Sequence, residues 1–255
     1  MKFIAIIPAR YASTRFPGKP LALLGGVPVI ERVWRRAADI LGAENVFVAT
    51  DDERIATVVT GFGNVVLTSP DHRSGTDRCR EAADILAETI DFDVVINIQG
   101  DEPFIAEESI KALMACFDDE RVDIASLARP FDPAQGFEAL FDPNLVKVVM
   151  GDNGNALYFS RSVIPYVRSV EWQKWLDECQ YYTHVGVYAY HREVLGVISR
   201  LEQSPLEKAE SLEQLRWLAA GYEIRMALTT APTIGIDTPD DLAAAEAYLA
   251  SLKQS

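Results

Sequence analysis

Cysteine is scarce in this chain of 255 residues, and long apolar runs are absent from it. The three cysteines, Cys79, Cys116 and Cys179, are odd in number and far apart, without a C-x-x-C pair. This spacing indicates neither a disulfide framework nor a zinc site, and we expect a cytoplasmic protein. No apolar stretch approaches the roughly 20 residues of a membrane span. The N-terminal run, residues 3–7, is also shorter than the roughly 7 to 15 residues of a signal-peptide core, so we predict a buried strand there.

Histidine is equally rare, since the chain has only His72, His184 and His191. No G-x-S-x-G motif is present, so the sequence does not indicate a serine nucleophile activated by histidine. Core or surface roles are the first expectation for all three, and His184, at the start of a predicted strand, is also placed to line a crevice.

Positive charge is in short supply overall, because the net charge is −14. Nucleic-acid and membrane-surface partners are therefore not expected, since either needs a basic face. Residues 1–36 are the exception: seven basic residues against Glu31 alone give this segment +6, which leaves −20 for the remainder. A focused cationic segment on an acidic chain fits a small polyanion.

Apolar runs rich in Val and Ile alternate with helical stretches over the first half of the chain. The runs are KFIAIIPA, NVFVATDD, NVVLTSP and DVVINIQGDEP, and the helical stretches include VPVIERVWRRAADILG and GTDRCREAADILAETI. This alternation predicts an α/β fold with a mainly parallel, twisted sheet and helices on both faces. A ligand crevice is then expected at the carboxyl ends of the strands.

From about residue 125 the pattern changes to longer strands joined by turns such as GDNGN, which predicts a smaller mixed or antiparallel sheet. One long helix is predicted to follow, with Ser204 as N-cap, a capping box to Glu207 and Gly221 at its end. The chain then closes with a predicted strand, TIGI, and a helix capped by Thr238 with Pro239 in its first position.

The segment IIPARYASTRFPGKP, residues 6–20, places Arg10, Arg15 and Lys19 directly behind the first predicted strand. It matches neither G-x-x-x-x-G-K-[ST] nor G-x-G-x-x-G, but small residues such as Ser13 would let backbone N–H groups approach an anion. A solvated basic loop is the alternative. The position behind the first strand favours phosphate binding.

Two acidic residues also follow predicted strands: Asp101 in QGDEP and Asp237 in GIDTPDD. Carboxylates from two strand ends, opposite a cationic loop, suit a magnesium ion that bridges phosphate oxygens. Alternatively, Asp101 belongs to a solvated turn and Asp237 only precedes a helix cap.

A further motif, HRSGTDR, contains Ser74, Gly75 and Arg78. It predicts contacts to a base or ribose, or the capped start of a helix, and the two interpretations are compatible.

Taken together, these motifs resemble the 3-deoxy-manno-octulosonate cytidylyltransferase (CMP-Kdo synthetase) family nearly end to end. The similarity rests on IIPARYASTRFPGKPL, VATDD, HRSGTDR, NIQGDEPFI, NALYFSRSVIP, HVGVYAY, SPLEKAESLEQLRWL and GIDTPDDL, in that order. It implies a Rossmann-like nucleotidyltransferase with a nucleotide-binding core over residues 1–125 and 225–255 and a sugar-binding and dimerisation part over residues 126–224.

The resemblance also implies a reaction, in which CMP passes from CTP to the anomeric hydroxyl of Kdo and pyrophosphate leaves. It implies Mg²⁺ as cofactor, a homodimer in the cytoplasm and a product used for lipopolysaccharide. The implied nucleotide-binding residues are Arg10, Ser13, Arg15, Lys19, Ser74, Gly75 and Arg78, with Asp101 and Asp237 on magnesium and Lys19, Arg15 and both aspartates catalytic. The implied sugar site contains Gln99, Arg161, His184, Tyr188, Glu213 and Gln214.

Two alternatives remain open. One is a cytidylyltransferase for a related acidic sugar, such as 8-amino-Kdo or a sialic acid. The other is a nucleotide-binding protein that does not catalyse a reaction.

Overall fold

The computed structural model describes residues 1–12, 15–232 and 234–252. The strands are β1 Phe3–Ala9, β2 Leu23–Leu24, β3 Val27–Pro28, β4 Val46–Thr50, β5 Asn64–Leu67, β6 Val94–Asn97, β7 Ile124–Pro130, β8 Lys147–Met150, β9 Ala156–Ser160, β10 Tyr182–His191 and β11 Ile224–Leu228. The helices are α1 Val29–Leu41, α2 Glu53–Val59, α3 Gly75–Leu86, α4 Glu107–Ala115, α5 Trp175–Glu178, α6 Arg192–Ile198, α7 Pro205–Glu210, α8 Gln214–Ala219 and α9 Pro239–Leu252. None of the helices in the described ranges has the length and apolar character to cross a bilayer.

The chain divides into two compact units. One comprises Met1–Ile110, His191–Ser199 and Pro232–Ser255, and the other comprises Lys111–Tyr190 and Arg200–Ala231. In the first unit, strands pair in the order β6-β1-β4-β5, and every pair is parallel. The α/β fold and its four predicted parallel strands are therefore confirmed.

The composition of β1 explains its place inside this parallel sheet. Residues Ile4, Ala5, Ile6 and Ile7 are at most 2% exposed, as expected for a strand with both faces covered. Helix α1 buries one face, formed by Val29, Ile30, Val33, Trp34 and Ala37. Because β1, β4 and β6 are parallel, the loops that follow them all leave from the same edge of the sheet.

The second unit contains a mixed sheet, as predicted from the change of pattern. Strand β11 pairs with β7 in parallel, whereas β7 with β10, β10 with β8 and β8 with β9 are antiparallel. The predicted GDNGN turn joins β8 to β9, where Gly154 has φ +77° and the N–H of Gly151 donates to the carbonyl of Asn155.

The prediction of one long helix after Ser204 is wrong, because α7 and α8 are separate. Ser211 stands between them in a left-handed conformation, φ 52° and ψ 46°. Ser204 caps α7 as predicted, accepting from the N–H of Glu207, but the Glu207 carboxylate binds Arg216 at 2.6 and 2.7 Å. The partly buried guanidinium of Arg216 thus binds the carboxylate that the sequence assigned to a capping box.

The predicted strand TIGI is also not a strand over its described residues, 234–236; Thr233 lies outside the described residues. The N–H of Ile236 donates to the carbonyl of Asp101 at 2.9 Å, which ties this segment to the loop after β6. The start of α9 agrees with the prediction: the Thr238 hydroxyl accepts from the N–H of Asp241, whose carboxylate accepts from the N–H of Thr238.

Candidate active site

The loop after β1 presents the predicted cations. Arg10 directly follows the strand and is exposed. The N–H of Gly18 donates to the carbonyl of Tyr11 at 2.9 Å, and Gly18 adopts φ +71°, a conformation that suits glycine, immediately before Lys19. Ser13 lies outside the described residues, so its predicted contact with the nucleotide stays a prediction.

Lys19 joins the two predicted acidic residues. Its Nζ lies 2.6 Å from Oδ2 of Asp101 and 3.1 Å from Oδ1 of Asp237, and its side chain is only 13% exposed. Arg15 extends the group, with Nη2 3.0 Å from Oδ2 of Asp237. Residues about 80 and 220 positions apart in the chain thus converge on one point. The loops after β1 and β6 were predicted to meet at one sheet edge, whereas the described residues before Asp237, 234–236, do not form the predicted strand.

Local contacts position the backbone at both acidic residues. Asp101 follows Gly100, where an added Cβ would lie 2.9 Å from the carbonyl oxygen of Pro8, so the loop after β6 approaches β1 only with glycine there. Asp237 donates its N–H to the carboxylate of Asp241 at 3.0 Å.

The N-terminus of α3 forms the third side. Ser74 caps this helix in a reciprocal capping box with Asp77, and Gly75 begins it. Arg78 is 4% exposed, with Nη2 2.7 Å from Asp51 and Nη1 donating to the Thr68 hydroxyl at 2.6 Å. The helix-cap interpretation of HRSGTDR is therefore confirmed, and the same residues face the cavity.

These three sides enclose a cavity of about 380 Å³. The described residues that line it include Pro8, Ala9, Arg10, Ala12, Arg15, Lys19, Pro20, His72, Ser74, Gly75, Arg78, Gln99, Gly100, Asp101 and Asp237. Nine of the predicted site residues are among them, including Gln99, whose amide donates to Asn97 at 3.3 Å. A cavity with four cationic side chains and two carboxylates suits a polyphosphate and a small cation.

Sequence reasoning missed two residues here, Asp51 and His72. Asp51, in the VATDD motif, directly follows β4, and its position at the same sheet edge is the signal that could have assigned it to Arg78. His72 lines the cavity and contacts Glu81. Although partial burial acts in the opposite direction, the hydrogen bond from His72 lowers the pKa of Glu81 below its ordinary value.

The predicted metal ligands can be tested against the donor set. No group of three or more His, Cys, Asp or Glu side chains suited to a metal occurs within the described residues. Asp101 and Asp237 nevertheless reach the same Lys19 ammonium, so two carboxylate oxygens can approach one small cation. Mg²⁺ binds through one or two carboxylates with phosphate and water as its other ligands, so the pair fits this ion.

The other five predicted sugar-site residues belong to the second unit. Arg161 follows β9 and donates to three backbone carbonyls, those of Glu210 at 2.6 Å, Pro143 at 2.7 Å and Ser211 at 3.3 Å. These bonds take three of the five N–H groups of a guanidinium.

His184 and Tyr188 lie on β10 and contact each other, with ring centroids 5.3 Å apart. The His184 ring also packs against Phe159 and shares a hydrogen bond of 2.9 Å with the Ser126 hydroxyl. Burial lowers the pKa of His184 to about 3, so its imidazole is neutral at physiological pH. Burial, aided by the charge of Glu213, raises the pKa of Tyr188 well above its ordinary value.

Glu213 and Gln214 stand at the start of α8. Gln214 is 4% exposed, and Glu213 Oε1 lies 3.7 Å from Arg216. Leu212 and Leu215 are buried, as predicted for core residues of this segment. The second unit thus brings His184 and Tyr188 together and holds Glu213 close enough to influence Tyr188.

Known proteins resemble this chain over its whole length. The cytidylyltransferase family model matches residues 4–224. The 3-deoxy-manno-octulosonate cytidylyltransferases of Phocaeicola vulgatus and Bacteroides thetaiotaomicron are 58% and 56% identical to it, each over 98% of both chains. The structure of a CMP:2-keto-3-deoxy-manno-octonic acid synthetase in complex with CTP matches with a TM-score of 0.88 and 41% identity, over 99% of this chain and 100% of that one. The α/β nucleotidyltransferase fold predicted above is thereby confirmed, and the chain belongs to the 3-deoxy-manno-octulosonate cytidylyltransferase family.

Proposed function

We propose that this chain transfers CMP from CTP to the anomeric hydroxyl of Kdo and releases pyrophosphate. The observation that carries the proposal is the convergence of Arg15, Lys19, Asp101 and Asp237 at one end of a polar cavity. Relatives up to 58% identical over nearly the full chain carry the name of this activity and support it.

The chemistry requires no covalent intermediate. The anomeric oxygen forms a bond to the α-phosphorus of CTP, the bond from that phosphorus to the bridging oxygen of the β-phosphate breaks, and the hydroxyl proton passes to water. Negative charge grows on the departing pyrophosphate. Arg15 and Lys19 supply fixed cations for that charge, and fixed charges stabilise a transition state without reorganising.

Asp101 and Asp237 are proposed to hold Mg²⁺. When bound, the ion would polarise the phosphate and lower the pKa of the attacking hydroxyl. We expect Asp237→Asn to raise the magnesium concentration needed for half-maximal activity at least about tenfold, since one of two charged ligands is lost. Unchanged CMP-Kdo formation at limiting Mg²⁺ would remove Asp237 from this role.

Gln99, Arg161, His184, Tyr188, Glu213 and Gln214 are proposed to contact the sugar. For Arg161, the two N–H groups outside its three carbonyl bonds suit the sugar carboxylate, because a guanidinium binds a carboxylate through two parallel bonds. Arg161→Ala should raise KM for Kdo far more than KM for CTP. The reverse pattern would assign Arg161 to the nucleotide.

A homodimer is proposed, with the second unit forming its interface. Support comes from exposed aromatic side chains grouped around Arg161 in this unit: Phe141, Tyr166 and Trp172 are 57%, 74% and 39% exposed. Exposed apolar patches of this kind mark interaction surfaces. Tyr166→Glu should convert a dimer to a monomer in light scattering, and a mass unaffected by this change would exclude the patch as the interface.

One assay separates the proposed function from its alternatives. Pyrophosphate release is measured with CTP against ATP, GTP and UTP, and with Kdo against 8-amino-Kdo and a sialic acid. We expect release only with CTP and preferentially with Kdo. Preference for another sugar would reassign the substrate, and no release with any pair would favour a binding protein. The activity fits a cytoplasmic role in supplying activated sugar for lipopolysaccharide.

A further inference from the structure

Two neighbouring carboxylates at the end of β4 each bind an arginine. Asp51 binds Arg78, which lines the cavity. Asp52 binds Arg54 through two hydrogen bonds, of 2.9 Å to Nε and 2.6 Å to Nη2, and also caps α2 by accepting from the N–H of Arg54 at 2.9 Å. The first pair belongs to the site described above. The second pair, Asp52 and Arg54, is not among the described residues that line the cavity.

Arg54 stacks on the cationic loop. Its guanidinium carbon lies 3.4 Å from the centroid of the Tyr11 ring. Tyr11 directly follows Arg10, the first cation of the loop. A guanidinium over the face of a tyrosine ring is attracted by the negative charge of that face.

Tyr11 in turn joins the two ends of the loop. Its carbonyl accepts from the N–H of Gly18 at 2.9 Å. A Cβ added at Gly18 would lie 3.1 Å from the Tyr11 ring, so the ring already packs against the glycine backbone. The residue after Gly18 is Lys19, which binds Asp101 and Asp237. The Tyr11 ring therefore links α2 to the position of Lys19.

The carboxylate of Asp52 fixes the arginine of this stack. Although the Arg54 side chain is 60% exposed, its two bonds to Asp52 hold the planar group in one orientation. The hydrogen bond from Arg54 lowers the pKa of Asp52, so this carboxylate stays charged at neutral pH. Asp101 and Asp237 already bind Arg15 and Lys19, and the contacts of Tyr11 with Gly18 and Arg54 hold the described ends of the loop, Tyr11 and Gly18, together.

We propose that Tyr11 and Arg54 are positioning residues that hold the described ends of the cationic loop, residues 10–12 and 15–19, together and thereby set the affinity for the nucleotide triphosphate. This inference rests on the proposed function for the identity of the ligand. Neither side chain is required to touch the nucleotide. The affinity then depends on the ring of Tyr11, not on its hydroxyl.

The test measures the Kd for CTP by calorimetry at constant Mg²⁺. Tyr11→Phe keeps the ring and should bind within about twofold of the wild type, whereas Tyr11→Leu should bind about tenfold more weakly. Arg54→Met should weaken binding about two- to fivefold, which corresponds to an exposed cation–π contact. The double variant Tyr11→Leu/Arg54→Met should bind no more weakly than Tyr11→Leu alone, since each change removes the same stacking contact.

Arg35→Met is the matched control, because Arg35 is equally exposed and equally bonded to one carboxylate, that of Glu31, but lies on α1. It should leave CTP binding unchanged. Throughout, KM for Kdo at saturating CTP should change less than twofold, a split that general destabilisation would not produce.

Limited trypsin digestion without nucleotide gives a second measurement. Cleavage after Arg10 and Arg15 should be faster in Tyr11→Leu and Arg54→Met than in the wild type or Arg35→Met. Equal cleavage in all four proteins would overturn the proposal, as would CTP binding by Arg54→Met at the wild-type Kd, or a Tyr11→Phe variant as weak as Tyr11→Leu. If the wild type binds no CTP while cleavage is still faster in Tyr11→Leu and Arg54→Met than in the wild type, the proposed function would be overturned and the positioning of the loop by Tyr11 and Arg54 would be supported.

Discussion

At the scale of single residues, Lys19 lies between two carboxylates in a largely enclosed position. Its side chain is 13% exposed and bridges two carboxylates from distant segments. This cation offsets the repulsion between Asp101 and Asp237, and in the proposed function it also places a fixed positive charge beside a phosphate. Removing it affects both.

We expect Lys19→Ala to lower kcat for pyrophosphate release about 100- to 1,000-fold, the range found when one fixed group that stabilises transition-state charge is removed. Lys19→Arg should recover part of the rate because the charge is kept. Lys2→Ala is the control, since Lys2 pairs with Asp91 on the surface. A Lys19→Ala enzyme near the wild-type rate would exclude Lys19 from catalysis.

His184 makes the stability of the folded protein depend on pH in the acidic range. Its pKa, about 3 in the folded protein against an ordinary value of 6.5, is lowered by burial. The unfolded chain therefore takes up the proton first, so the stability contributed by neutral His184 is complete above pH 6.5 and is lost as the pH falls towards 3.

Between pH 7 and pH 5 we expect this single group to lower the free energy of unfolding by about 2 kcal/mol. The measurement is urea unfolding of the wild type and of His184→Gln at both pH values, because all other titrating groups are common to the two chains. Equal pH dependence in both proteins would contradict the enclosed, neutral imidazole.

At the scale of elements, the ends of the segment from α7 to α8 could be predicted from the sequence, but its interruption could not. The cap at Ser204 and the stop at Gly221 were predictable because each depends on neighbouring residues. The interruption at Ser211 was not, since the carbonyls of Glu210 and Ser211 there accept hydrogen bonds from Arg161, a residue about 50 positions away. Local patterns specify helix ends, and tertiary partners specify breaks.

The pairing of Glu207 with Arg216 connects α7 to α8 across that break. Their side chains are 6% and 12% exposed and share two bonds of 2.6 and 2.7 Å. Removing one member of a buried pair leaves an uncompensated charge and costs about 3 to 5 kcal/mol.

Accordingly, Glu207→Ala should lower the free energy of unfolding by about 3 kcal/mol or more, measured by denaturant titration. Arg35→Ala, which breaks a more exposed pair on α1, should lower it by less than about 1 kcal/mol. Similar losses in both variants would mean that the Glu207 pair is accessible to water.

At the scale of the whole molecule, the position of the cavity in the first unit was more predictable than the side-chain contacts that surround it. Parallel strands send their following loops to one edge, so Arg10, Lys19 and Asp101 could be placed together from the sequence. The pairing of Asp51 with Arg78 was not predicted although both lie at the same sheet edge, and the stacking of Arg54 on Tyr11 could not be predicted, because the two residues are far apart in the chain. The order of strands and loops located the site, whereas side-chain packing determined the contacts of Arg78 and Arg54.

The charge distribution of the whole chain makes a last prediction about salt. CTP is attracted by cations within a few ångströms and repelled by an acidic remainder of −20. The screening length is about 30 Å at 0.01 M salt and about 10 Å at 0.1 M, so added salt first removes the distant repulsion and only later weakens the local attraction. KM for CTP should therefore pass through a minimum near about 0.1 M salt at constant free Mg²⁺, while kcat changes little. A KM that rises steadily from the lowest salt concentration would mean that the distant acidic charges do not reach the cavity.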